Sequence, residues 1–399
     1  MSERIIFHVD VNNAFLSWSA VLLLKNGYKQ DIRKIPSIIG GDESQRHGIV
    51  LAKSPIAKKY GIVTAETIYS AKRKCPSLQI FPPNHEFYYQ KSTELMNYLR
   101  NFTPTLEQFS VDECFMDMTG TNYLYKDYIK LAHEIKDNIK IKFGYTVNVG
   151  VANNKLCAKM ASDFEKPDKV HTLFKDEIET KLWPLPVKDL FMCGKKTAEE
   201  LNKMHIYTIK DLANTNQEIL NKRFKSQGKY LKEASFGIDN TPVIVKKGRR
   251  QSISTTTTLP HDETDTEKLK GIILRQAEDI MRQLREKKLY TSTIAIIYKD
   301  STFKNYSYQE TLNNPTNNTE KVLKAIVKLF DKTYSQEKIR LIGVRISNLT
   351  TNKQTQISLF DENEEQDNKV DNIQGTIDEI NKKFGSTIVL PASLKRLQK

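Results

Sequence analysis

Cysteine is scarce in this chain: Cys75, Cys114, Cys157 and Cys193 are the only four among 399 residues. No two of them form a Cys-x-x-Cys pair and no histidine stands at zinc spacing, which argues against a structural zinc site. Isolated cysteines of this kind suit a reducing cytoplasm, where they act as small packing residues. No apolar run is long enough to span a bilayer, so no membrane association is expected. The N-terminus lacks the apolar core of a signal peptide, because Asp10, Asn12 and Asn13 interrupt it. Internal repeats and long low-complexity segments are also missing. Negative charge is in deficit: 62 Lys and Arg face 48 Asp and Glu, a formal net charge of +14. An excess of that size favours a polyanionic partner, nucleic acid ahead of a membrane surface. Hydrophobic content of 39% and charged content of 28% are ordinary for globular protein, and the length suggests roughly two to four domains.

What is present starts with Phe109-Ser110-Val111-Asp112-Glu113-Cys114-Phe115-Met116-Asp117. Two adjacent carboxylates, Asp112 and Glu113, sit between short apolar-alternating runs, a pattern that predicts a strand, a tight reversal and a second strand. Neighbouring acids at a reversal repel each other, and a divalent cation is the simplest remedy. Far away in sequence, Ile5-Ile6-Phe7-His8-Val9-Asp10-Val11-Asn12 reads as an apolar strand ending on an acid. An acid at a strand end plus an acid pair at a hairpin suit a two-metal phosphoryl-transfer site. Mg²⁺ takes few protein carboxylates and keeps ligands for phosphate, and two such ions sit about 3.5–4 Å apart. A magnesium enzyme acting on phosphodiesters or nucleotides is the expectation.

Residues 1 to about 175 alternate strands and helices. Strands are expected at 5–9, 35–39, 49–52, 106–110, 114–118 and 146–151, and helices at 14–25, 57–60, 86–101 and 128–143. This predicts an α/β region with an inserted basic part between about 24 and 76. From about 176 to 240 the pattern is helical. Residues 187–201 read as helix, glycine turn and helix, the second helix starting after Gly194. Its free N–H groups, with Lys195 and Lys196, suit a DNA phosphate. The basic connector that follows, with Lys246, Lys247, Arg249 and Arg250, suits a tether along a phosphate backbone. Residues 241–350 then give the order βαββαβ, a sheet with helices on one face and the other free to meet DNA. One helix face is marked by Leu269, Ile272, Ile273, Ala277, Ile280 and Leu284, another by Val322, Leu323, Ile326, Val327 and Phe330. The tail, 351–399, is polar, with one apolar cluster at Gln356-Ile357-Ser358-Leu359-Phe360. Beyond it, Ile377, Ile380 and Phe384 fall at helical spacing.

Together these motifs resemble the Y-family DNA polymerases, the translesion polymerases, over about residues 1 to 360. The resemblance implies an α/β (α+β) multidomain right hand. Its parts would be a palm over 1–175 with inserted fingers at about 24–76, a helix-hairpin-helix thumb over 176–240 and a little finger over 241–350. It implies template-directed addition of deoxynucleotides to a primer, with low fidelity, in DNA repair and the damage response. Asp10 and Asp112 would bridge two Mg²⁺ ions, Glu113 would complete the primer-side metal, and the carbonyl of Val11 the nucleotide-side metal. Lys166 matches a lysine that contacts the incoming triphosphate, and Asn13, Ser54 and Lys58 belong to the same nucleotide site. Phe15 matches the steric gate, a ring that leaves no room for a ribose 2′-hydroxyl. Gln356, Ile357, Leu359 and Phe360 resemble the peptide that binds the bacterial sliding clamp. The implied partners are primer-template DNA, deoxynucleoside triphosphates and that clamp, with the chain itself a monomer.

The chain departs from the family in places. Asn12 stands where a second aspartate is common. Pro55 and Lys58 stand where an aromatic and an arginine are common, so the bidentate fork is lost at Lys58. Met192 replaces the first of two thumb-hairpin glycines. These departures leave room for a non-catalytic DNA- and clamp-binding scaffold, and the acids alone are shared with two-metal nucleases. A scaffold has no use for the three acids, and a nuclease none for Phe15 or Lys166.

Overall fold

The computed structural model describes residues 4–41, 48–245, 248 and 250–352, with 376, 377, 379, 380 and 383 in the tail. The described residues divide into two compact units, one ending at 245 and one starting at 248.

The first unit opens with β1 (Ile6–Val11) and α1 (Ala14–Lys25). Then come β2 (Ser37–Gly40), β3 (Val50–Lys53), α2 (Pro55–Lys59), α3 (Ile68–Lys74) and β4 (Gln79–Phe81). These build a three-stranded sheet of order β3-β2-β4 around Ile38, Val50, Ala57, Ile62 and Ile68. The chain goes on through α4 (His85–Leu99), β5 (Leu106–Gln108), β6 (Glu113–Asp117) and α5 (Tyr128–Phe143). It continues with β7 (Val147–Ala152), α6 (Lys155–Asp163) and β8 (Val170–Leu173). Their sheet has the order β5-β6-β1-β7-β8, with β1 antiparallel to both neighbours.

Strand alternation sends Phe7, Val9 and Val11 to one face, where Trp18, Tyr88, Leu95, Leu131, Ile135 and Ile139 of α1, α4 and α5 cover them. The opposite face meets α6 through Leu156, Cys157, Met160 and Ala161. Covered twice, β1 and β7 are buried along their whole length. The expected hairpin is present, β5 pairing antiparallel with β6. Elements α3, β4, α6 and β8 were not among the sequence expectations. Strands β4 and β8 are three and four residues long and exist through parallel pairing with β2 and β7, a partner that local sequence does not reveal. On α6 the buried side is mostly small residues, Cys157, Ala158, Ala161 and Ser162, which blurs its apolar period.

After β8 the described structure is helical: α7 (Lys195–Lys203), α8 (Ile209–Asn214), α9 (Gln217–Phe224) and α10 (Ser226–Ser235). Helix α7 starts directly after Gly194, as expected, but the element before the turn is a single 3-10 turn at Val187–Asp189 rather than a helix.

The second unit is β9 (Ser252–Glu263), α11 (Thr266–Glu286), β10 (Tyr290–Asp300), β11 (Asn305–Thr316), α12 (Thr319–Thr333) and β12 (Ile339–Thr350). The order βαββαβ is the one expected. The sheet order is β11-β10-β12-β9, so each βαβ pair is split by a strand of the other. Helices α11 and α12 both pack on the face made by Ile253, Ile294, Ile296, Ile342, Val344 and Ile346. The other face carries Ser254, Thr256, Ser307, Gln309 and Arg345. All four cysteines are free and buried. Among the described residues no helix is long and apolar enough to cross a membrane. In the tail, Ile377 and Ile380 are helical and half-buried.

Candidate active site

Register decides the site. Asp10 on β1 lies opposite Glu113 on β6 and opposite Asn148 on β7. Directly opposed residues of an antiparallel pair share a face, so Asp10 and Glu113 emerge together. The N–H of Val11 donates to the carbonyl of Asp112 at 3.0 Å, which ties the hairpin turn to the end of β1. The three predicted acids are therefore brought together, although Asp10 and Asp112 are 102 positions apart in the chain.

Two lysines meet these acids. Lys159 Nζ, from α6, lies 2.7 Å from Glu113 Oε2 and 3.2 Å from Asp10 Oδ2. Lys166 Nζ lies 2.7 Å from Asp10 Oδ2 and 2.8 Å from Asp163 Oδ1. Burial alone would raise the Glu113 carboxyl, but hydrogen bonds from His8 and Lys159 and the Lys159 charge outweigh it and bring it to about 2. Asp112 goes the other way: burial, with the charges of Asp10 and Glu113, raises it above the usual range, while Ser110 Oγ, donating at 2.6 Å, opposes the rise. Both lysines resist deprotonation, because the neighbouring carboxylates outweigh their burial.

His8 and Lys159 were not foreseen. His8 is fully buried, with Nδ1 2.8 Å from Ser162 Oγ and Nε2 3.1 Å from Glu113 Oε2. Burial lowers its basicity. The signal was available: the alternation in Phe7-His8-Val9-Asp10-Val11-Asn12 puts His8, Asp10 and Asn12 on one face. Lys159 had no such signal, since α6 itself was not anticipated. Helix α6 reaches the sheet because β7 carries Gly150. A Cβ there would overlap the carbonyl oxygen of Ala158 and lie 2.6 Å from the nitrogen of Ser162.

Ligand atoms of His8, Asp10 and Glu113 lie within 4.8 Å of one another. With Asp112 alongside, the acidic donors are carboxylate oxygens, the chemistry that suits a hard divalent cation. The residues fit such an ion.

Phe15 projects from the first turn of α1, half-buried. Its ring stacks on Tyr88 with centroids 4.6 Å apart and an interplanar angle of 11°, and His85 meets it edge-on at 5.9 Å. The Tyr88 hydroxyl is 2.6 Å from Ser19 Oγ, so the stack is tied back to α1. Asn13 is exposed at the start of α1 and donates from Nδ2 to the carbonyl of Lys53 at 2.6 Å. Lys58 is exposed on α2, and its charge, after burial, lowers the basicity of Lys53. Ser54 is the N-cap of α2. It is fully buried, and its hydroxyl oxygen accepts from the amides of Ala57 and Ser37, capping α2.

Gly194 caps α7, with Lys195 and Lys196 in the first turn. Met192 holds a φ of 65° with its side chain exposed, the left-handed conformation that glycine adopts without strain. Arg250 is exposed. Lys246, Lys247, Arg249, Gln356, Ile357, Leu359 and Phe360 lie outside the described residues.

A model of the impB/mucB/samB family matches residues 9–163, and a model of the C-terminal domain of that family matches residues 250–359. A DNA polymerase IV of Clostridium acetobutylicum is 46% identical over 392 residues, 98% of each chain. DNA polymerase IV 1 of Bacillus subtilis is 33% identical over 398 residues, covering 99% of this chain and 94% of the relative. Among solved structures, a Y-family DNA polymerase chimera superposes with a TM-score of 0.74 at 23% identity, over 87% of this chain and all of its own.

Proposed function

The chain belongs to the impB/mucB/samB family, the Y-family DNA polymerases, and from that premise we propose that it is a template-directed DNA polymerase that extends a primer by two-metal nucleotidyl transfer. The reaction joins the primer 3′-oxygen to the α-phosphorus of a deoxynucleoside triphosphate and releases pyrophosphate. Low-fidelity synthesis past damaged template, in DNA repair, is the role proposed for it. The single observation that carries this reading is the register pairing of Asp10 with Glu113, beside Asp112, with Lys159 and Lys166 in contact.

Asp10, Asp112, Glu113 and the carbonyl of Val11 would hold two Mg²⁺ ions. When bound, Mg²⁺ supplies positive charge against the phosphates and eases loss of the primer hydroxyl proton. The remaining work belongs to the protein's own groups. Lys166 is a mobile-ended cation within reach of Asp10, placed to exchange that carboxylate for a phosphate oxygen. Lys159 keeps Glu113 ionised. Lys53 and Lys58 form a second cationic point at α2, and Asn13 ties it to α1. Ser54 caps α2 beside this point, its oxygen accepting from the amides of Ala57 and Ser37. The stacked ring of Phe15 would lie under the sugar and exclude a 2′-hydroxyl.

In the same reading the small sheet with α2 and α3 forms the fingers, the five-stranded sheet the palm, α7–α10 the thumb and the second unit the little finger. Gly194, Lys195 and Lys196, with Lys246, Lys247, Arg249 and Arg250, contact phosphates of the primer-template duplex. Gln356, Ile357, Leu359 and Phe360 dock the monomeric enzyme on the bacterial sliding clamp in the cytoplasm.

The test is primer extension on a primed template with Mg²⁺ and four deoxynucleotides, beside an Asp112→Ala/Glu113→Ala control. Extension by the native chain and none by the control is expected. Equal extension by both would overturn the metal site, and no extension by either, with DNA binding intact, would overturn the polymerase reading. For the clamp, Leu359→Ala/Phe360→Ala should abolish clamp binding and spare synthesis on bare template.

A further inference from the structure

We infer that two buried carboxamides, Asn12 and Asn148, are positioning residues for Lys166. The hydrogen bonds of both go elsewhere than to the three acids, although Asn148 stands opposite Asp10 in register. Asn148, the second residue of β7, is fully buried, and Asn12, one residue past β1, is nearly so. Asn148 Nδ2 donates to the carbonyl of Ser162 at 3.0 Å and to that of Glu165 at 2.7 Å. Its Oδ1 accepts from the N–H of Lys169 at 3.3 Å and from Asn12 Nδ2 at 3.0 Å. Asn12 Oδ1 accepts in turn from the N–H of Asp168 at 2.9 Å. Every hydrogen-bonding valence of Asn148 is used, and main-chain partners fix which end of each amide is nitrogen.

The partners lie on both sides of one residue. Glu165, Asp168 and Lys169 bracket Lys166, so the pair holds the main chain of the loop between α6 and β8 against the sheet. From this anchored segment the side chain of Lys166 reaches Asp10 and Asp163. On the outer side, Asp168 is gripped by Lys136 at 3.1 Å and Lys140 at 2.7 Å from α5. A flexible lysine serves a fixed phosphate only if its stem starts from a fixed place.

The pair also sets what position 12 tolerates. In Asn12→Asp an acceptor oxygen would face Asn148 Oδ1 across the present 3.0 Å contact. Turning the Asn148 amide over would leave two buried carbonyls without donors and aim its N–H groups at the N–H of Lys169. The loop would have to move, and Lys166 with it. Where an aspartate is common in the family, this chain has an asparagine answered by a second one.

The inference rests on the reading of Lys166 as a triphosphate contact, and a double-mutant cycle separates the two. Nucleotide KM and kcat would be measured in single-nucleotide incorporation with saturating primer-template, for the native chain, Lys166→Ala, Asn12→Asp and the double variant. Asn12→Asp should raise KM about tenfold, with a smaller change in kcat. In the Lys166→Ala background the same substitution should have no further effect on KM, which a general loosening of the fold would not produce. An unchanged KM for Asn12→Asp, or effects that multiply, would sink the inference while leaving Lys166 in its role. An unchanged KM for Lys166→Ala would remove that role and the inference with it. Should Asn12→Asp fail to fold, Asn148→Ser enters the same cycle with the same expected pattern.

Discussion

In the five-stranded sheet both faces are covered by helices; in the four-stranded sheet of the second unit both helices lie on one face. The contrast shows in the polar residues. On β1 and β7 each one inside the sheet has a named partner: His8 with Ser162, Asn12 with Asn148, Asp10 with Lys159 and Lys166. On the bare face of the second sheet Ser254, Thr256, Ser307 and Gln309 are exposed and depend on no such arrangement. A polar group enclosed on both sides costs several kcal/mol unless it is matched, so the first sheet has a single workable layout of them. A hydroxyl that faces water can be exchanged freely. Precise chemistry is built into the enclosed sheet, and adjustable contact belongs on the open one.

The strongest way to break this contrast is at the two sheets' backbones. Gly150→Val should cost about 4 kcal/mol or more, or prevent folding, because α6 lies against the glycine. Thr256→Val on the exposed face should change stability by less than about 0.5 kcal/mol. Urea denaturation of both variants compares them, and similar losses would end the distinction. Next in size is Phe15→Ala, which removes the ring stacked on Tyr88. Discrimination against ribonucleotides should fall by about tenfold or more in competitive incorporation, with stability reduced only modestly. If discrimination is unchanged, the ring is core packing alone.

A smaller effect tests the open face. Arg345 stands there beside Ser254 and Ala295 in register. Arg345→Ala should reduce the slope of log affinity for DNA against log salt by about one. An unchanged slope would mean that this face does not meet phosphate. The smallest effect concerns Asp168. Hydrogen bonds from Lys140 and Lys136, with their charges, overcome its burial and hold its carboxyl below the ordinary 3.8. A depressed carboxyl contributes stability above its unfolded value, and the contribution is lost as pH falls through the folded one. Asp168→Asn should therefore lose less stability on acidification below pH 3.8 than the native chain. Parallel curves would mean that the α5 lysines do not grip the loop.

The sequence carried the order of elements in the second unit, because long strands and two amphipathic helices announce themselves by period. It also carried Asp10, Asp112 and Glu113, whose placement at a strand end and a reversal is visible in eight or nine residues. It carried less where a short segment depends on a distant partner. Strands β4 and β8 are examples, and so is α6, whose close approach rests on the absence of a side chain at Gly150. Lys159 went unnoticed for that reason. The cap that the Ser54 oxygen makes for α2 is visible only in the packing.

The position of β1 has a consequence for how the chain is made. This strand is made well before its two neighbours, β6 and β7, since Ile6 is paired to Asp117 and Ala152. At about 5–20 residues per second, those partners follow on the order of 5 to 30 seconds later. Through that interval an apolar strand bearing Asp10 waits at the sheet's future centre. The nascent sheet cannot close around β1 alone: it assembles around this earlier strand only once β6 and β7 have been synthesised.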